Sequence, residues 1–210
     1  DNITEADGGA IYTNGGRVTI DGSTVKENLA HANAGAYSSN GATSAVGLRS
    51  KITITDSKFN GNVAWASAGA IHTDVEVKDN QAKEDAGGGV EVGDRSSLLM
   101  TRGTVTGNSA YSEGGGLYTA SERPQIVRDS TFSRNSAGVP GLEGNDAGGG
   151  GVYTEGGPVE ITGATISENT GTAEGGGITI DNHGDVDVVD TTVSLNESLM
   201  DGGGVENSGA

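Results

Sequence analysis

Glu160 and Asp187 are the two carboxylates whose spacing could do chemistry. They stand one period apart in the repeat described below. A fold built on that repeat sets them on adjacent turns, ~5 Å apart. Two carboxylates at that separation can serve a retaining glycosidase as nucleophile and acid, or share a cation such as calcium. Asp185, His183 and Asp190 lie close by in sequence. The bland reading is a solvated acidic patch. It has the greater weight, because the chain carries 29 Asp and Glu against 12 Lys and Arg, a net charge of −17. It also offers no long loop beside the pair to wall a cleft for a sugar chain. No catalytic residue is therefore assigned and no cofactor is required, although the pair could take a cation such as calcium.

A second set is Thr104, Thr131, Thr165 and Thr192, each followed two residues on by Thr106, Ser133, Ser167 and Ser194. Equivalent positions earlier in the chain hold Thr24, Lys58 and Glu76, then Lys26, Asn60 and Lys78. Two parallel hydroxyl columns on a regular lattice are what an ice-binding face requires. The competing explanation is that Thr suits the wet face of a sheet, and the Lys and Glu residues interrupt the array. Tyr12, His72, Tyr118 and Tyr153 share another outward column, in which Tyr118 and Tyr153 should stack on neighbouring turns. Such a pair can bind a sugar, but aromatic pairs also stabilise sheets, and stabilisation is favoured. Leu99 and Ile126 form a small exposed apolar pair, either a contact surface or a patch covered by an inserted segment. Trp65 reads as a corner plug.

Other chemistries are missing from the sequence. It has no Cys, no Ser-His-Asp spacing and no metal-type His cluster. Glycine runs such as Gly148–Gly151 lack the Lys and the strand-to-helix context of a phosphate loop. Strong acidity argues against nucleic acid, whose phosphates would be repelled. No apolar stretch approaches the ~18 residues of a membrane span, and no signal segment opens the chain.

The elements that must position these residues follow from internal repetition. A glycine-rich step ending in an apolar residue recurs, as in Gly8-Gly9-Ala10-Ile11, Ala68-Gly69-Ala70-Ile71, Gly114-Gly115-Gly116-Leu117 and Gly175-Gly176-Gly177-Ile178. An apolar residue followed after two polar ones by Asn recurs as Val25/Asn28, Phe59/Asn62, Val77/Asn80, Val105/Asn108, Phe132/Asn135, Ile166/Asn169 and Val193/Asn196. Between these motifs lies a short alternating run, for example Val18-Thr19-Ile20 or Val159-Glu160-Ile161. Alternation of β-branched residues signals strands. Three short strands per ~27 residues, stacked turn on turn, predict a right-handed parallel β-helix of about eight rungs. Stacked turns share one narrow core, which fits an apolar content of only 32% and 38 glycines. Glycine permits tight corners, and stacked Asn side chains can hydrogen-bond as amide ladders do, so the seven Asn residues read as structural.

Residues 1–210 read as a single β-helix domain that opens inside one repeat and stops inside another, hence as a fragment of a longer protein. The period breaks near residues 39–50 and 138–145, each an insertion, and the third rung is short with no evident middle strand. The segment around Val46 and Leu48 would fill that gap.

The Gly-Gly-Ala-Ile step at Gly8–Ile11 and the Phe-x-x-Asn steps at Phe59–Asn62 and Phe132–Asn135 resemble the repeats of the chlamydial polymorphic outer-membrane proteins and related bacterial surface β-helix proteins. Elsewhere Gly replaces Ala, and Val or Ile replaces Phe. The resemblance implies an autotransporter-like adhesin at a bacterial cell surface, although no C-terminal barrel is present in this sequence. The expectation is an extracellular structural or adhesive module, a spacer, adhesin or wall of an assembly. Its partners would be other copies or neighbouring domains at the open solenoid ends, and a host-surface or glycan ligand. A carbohydrate-active enzyme using Glu160 and Asp187 is the alternative, and the ice-binding hydroxyl face is the third reading.

Overall fold

The computed structural model describes residues 2–6, 9–13, 17–31, 37–39, 51–55, 57–60, 62–64, 75–78, 81–82, 87–92, 98–138, 147–181 and 184–208. Among them every strand pairs in parallel with its equivalent one turn away, and no helix occurs. One full turn runs Leu117–Thr119, Gln125–Arg128, Thr131–Ser133 and Ser136–Ala137. The first three are the alternating runs of the sequence. The fourth is a two-residue strand that follows each Asn and has no sequence pattern of its own.

Stacking these turns gives four sheet faces, of which the first and second each divide into two sheets among the described residues. The first holds the strands after the glycine step, and the second holds the alternating middle runs, which end in Asp185–Val189. The third, of seven strands, runs from Thr24–Lys26 to Thr192–Ser194. The fourth has eight strands, from Ile3–Thr4 to Glu197–Ser198, and so counts eight turns. The first sheet is continuous through the last five of them.

Alternation decides which side chains go inward. Leu117, Val127 and Phe132 from one turn are fully buried, as are Val152, Ile161 and Ile166 from the next. Each inward residue lies over its equivalent, as Val105, Phe132, Ile166 and Val193 do in the third sheet. A full core of this kind needs about one apolar layer per strand, which is why the chain folds with so few apolar residues.

The corners are built from backbone conformation and amides. The residues before Asn28, Asn108, Asn135, Asn169 and Asn196 adopt a left-handed conformation: Glu27, Gly107, Arg134, Glu168 and Leu195 have φ of 56°, 67°, 54°, 58° and 56°. That turn aims the Asn carboxamide along the stack. Asn108 N and Nδ2 both donate to Asn135 Oδ1, at 3.0 and 2.9 Å. Asn135 repeats the pattern on Asn169, at 2.9 and 3.0 Å, and Asn169 repeats it on Asn196, at 2.9 Å each. The other Nδ2 hydrogen of Asn135 reaches back to the Val105 carbonyl at 3.0 Å. Every polar atom of that buried side chain is thereby satisfied, as burial demands.

The glycine step packs directly against this ladder. Gly114 turns the chain with φ 63°, a conformation that glycine adopts without steric cost. A side chain on Gly115 would run into the Ser136 carbonyl, and one on Gly116 into the Gly151 carbonyl and the Asn135 carboxamide. The two sequence motifs are thus two halves of one joint.

Candidate functional site

Three outward surfaces carry the residues that could meet a ligand, and each is set by strand register. On the second sheet Glu160 pairs with Asp187, so the two carboxylates do stand on adjacent turns. Glu160 is not free, however. Its Oε1 accepts from Arg128 Nη2 at 3.0 Å and Nε at 3.3 Å, and from the Thr162 hydroxyl at 3.3 Å. Arg128 comes from the preceding turn, one residue beyond the inward Val127, a position the sequence pattern did not single out. Asp187 is exposed. Among the described residues no group of three or more His, Cys, Asp or Glu is placed to hold a metal ion.

Leu99 and Ile126 are register partners on the same column, two turns and one turn below Glu160. Leu99 is 37% exposed and Ile126 half-buried. The insertion near 39–50 lies almost wholly outside the described residues, as does the one near 138–145, so neither is placed over this pair.

On the first sheet Tyr118 and Tyr153 are register partners. Their ring centroids lie 5.7 Å apart with planes 17° from parallel. Tyr118 donates its hydroxyl to Glu155 at 2.7 Å, and Tyr153 donates to Asp181 at 2.9 Å. Burial comes first in raising both phenols well above the ordinary tyrosine range. The carboxylate each one bonds adds to the shift, as do Glu113 and, for Tyr118, Glu91. Tyr153 is only 4% exposed and offers little surface to a ligand, whereas Tyr118 is half-buried. Stacking on Tyr118 and the bond to Asp181 turn Tyr153 into part of the wall. Glu155 and Asp181, the acceptors that fix both rings, escaped the sequence reading because they follow the strand instead of alternating within it. Glu206, on the same column at the last turn, also has a raised carboxyl pKa, chiefly through desolvation.

On the third sheet Thr104, Thr131, Thr165 and Thr192 form one column in register, and Thr106, Ser133, Ser167 and Ser194 a second. Thr165 and Thr192 are exposed, while Thr104, Thr131 and the three serines are half-buried. Thr106 is buried and its hydroxyl bonds that of Ser133 at 3.0 Å.

The Asn residues face inward and join none of these surfaces. Asn28, Asn62, Asn108, Asn135 and Asn169 are buried, and Asn28 donates to Asn62 as its equivalents do. The column also has a member the sequence reading missed: Asn2 donates to Asn28 Oδ1 from both N and Nδ2. Asn80, Trp65, His72 and His183 lie outside the described residues.

Charge is distributed unevenly along the rod. All 12 Lys and Arg fall within residues 1–134, and residues 135–210 hold 13 Asp and Glu with no cation. In a stacked fold this makes one end of the rod strongly acidic. No helix among the described residues is long and apolar enough to cross a membrane.

Residues 49–209 match the family model described as right handed beta helix region. Neither the search of curated proteins nor that of solved structures finds a match.

Proposed function

We propose that this chain, which belongs to the right-handed β-helix family, is a rigid structural and adhesive module of a cell-surface or secreted assembly. One observation carries the reading: most of the polar side chains that could do chemistry are spent on neighbouring turns. The Asn carboxamides bond one another, Glu160 is held by Arg128, and Tyr118 and Tyr153 are stacked and tied to carboxylates. Such bonds stiffen a rod and leave few groups poised to react.

The resemblance of Gly8–Ile11, Phe59–Asn62 and Phe132–Asn135 to the repeats of polymorphic outer-membrane proteins supports the adhesive part of this role. The carbohydrate-active alternative rests on the register of Glu160 and Asp187, and it is weakened by the occupied Oε1.

The test pairs two measurements. Soluble polysaccharides are incubated with the chain and with Glu160→Gln, and product is assayed; immobilised chain is then assayed for retention of glycan-coated and cell-derived surfaces. Retention without turnover is expected. Turnover that disappears in Glu160→Gln would overturn the structural reading in favour of an enzyme, and absence of retention would remove its adhesive part.

A further inference from the structure

We propose that the hydroxyl lattice of the third sheet is an ice-binding face. This goes beyond the module role and stands on a separate surface.

The lattice has two fixed repeats. Along the rod, Thr131, Thr165 and Thr192 recur at the strand spacing, and so do Ser133, Ser167 and Ser194; that spacing is ~4.8 Å. Across the rod, the two columns are separated by two residues of extended strand, ~6.6 Å. The first repeat is close to the repeat of ordinary ice, and a stack of identical turns holds it without drift. Thr adds a methyl beside its hydroxyl, and its branched Cβ restricts χ1.

Charge points to the occupant. Lys26, Lys58, Glu76 and Lys78 occupy these two columns in the first three turns of the sheet, and the eight positions from Thr104 to Ser194 hold no charge. An uncharged, regularly spaced face disturbs an uncharged water lattice least, whereas a surface meeting a charged partner would carry the opposite sign. The usable area begins at Thr131, since Thr106 is buried and its hydroxyl is bonded to Ser133. Beneath it Phe132, Ile166 and Val193 back the sheet, and the Asn ladder ties Asn135, Asn169 and Asn196 at its edge. The face is therefore stiff before any ligand arrives.

The experiment measures thermal hysteresis and inhibition of ice recrystallisation for the chain, for Thr131→Tyr, for Thr165→Lys and for Glu122→Tyr. Glu122 is exposed at a corner away from the third sheet. Circular dichroism checks that each variant is folded. Expected are crystal-growth arrest by the unmodified chain, its loss in both Thr variants and its retention in Glu122→Tyr. Absence of both effects in the unmodified chain overturns the proposal, as does their persistence in folded Thr131→Tyr and Thr165→Lys. Binding of the unmodified chain to a neutral glycan, with no effect on ice, would reassign the face and also overturn it.

Discussion

Asn135 receives both the backbone N–H and the side-chain N–H of Asn108 on a single oxygen, at 3.0 and 2.9 Å, although 27 residues separate them. Its own Nδ2 holds the Val105 carbonyl and Asn169 Oδ1. Asn135→Ala therefore strands several buried groups at once. Each unsatisfied buried polar group costs ~1–3 kcal/mol, so a loss of at least ~3 kcal/mol is expected in urea unfolding. Asn135→Asp should fare no better, because a carboxylate cannot donate to Val105. A loss under ~1 kcal/mol would deny the ladder its energetic role.

The left-handed corners give a prediction of opposite sign. Leu195 has φ 56° and is 80% exposed, so it bears the steric cost of that conformation with little burial in return. That cost is ~1–2 kcal/mol for an ordinary residue. Leu195→Gly removes it, offset in part by the greater freedom of Gly in the unfolded chain, and a small rise in stability is expected. Gly115→Ala should do the reverse and prevent normal stacking, since the clash is with the Ser136 backbone. Thermal unfolding of the two variants checks both signs.

These two positions also show how far the sequence could be read. The Gly and Asn columns were legible because each has a steric or hydrogen-bonding reason that admits few residue types. The corners before Asn were not, since Arg134, Glu168 and Leu195 are chemically unrelated and share only a backbone conformation. Register was legible too, which placed Glu160 beside Asp187 and Tyr118 beside Tyr153. What those side chains bond to was not. Arg128 reaches Glu160 by rotamer choice, and the burial of Tyr153 depends on neighbours outside its own strand.

Alkaline pH should act through the tyrosine pair. Both phenols have folded-state pKa values raised above the unfolded value near 10. The folded state therefore binds these protons more tightly, and stability present below pH ~10 is lost as pH rises beyond it. Phenolate absorbance of Tyr118 and Tyr153 should appear only together with unfolding. Replacing both by Phe should flatten the alkaline decline while lowering stability at neutral pH. Titration of both rings in a folded protein at their ordinary pKa would contradict the wall described above.

Salt should stabilise the rod. Residues 135–210 carry 13 acids and no Lys or Arg, and stacking sets Asp187 beside Glu160. Raising ionic strength from ~0.01 to ~0.15 M shortens the screening length from ~30 to ~8 Å. The unfolding midpoint should rise over that interval, and Asp187→Asn should reduce the rise. A flat response would mean that the acids are neutralised by groups other than solvent ions.

Hydrogen exchange of the Asn135 side-chain carboxamide is the most direct test of the stacked ladder on which the account rests. The prediction is that both Nδ2 hydrogens exchange only as fast as the core amides of Phe132 and Ile166, through global opening. Exchange at the rate of a free asparagine side chain, in a protein whose core amides stay protected, would contradict it.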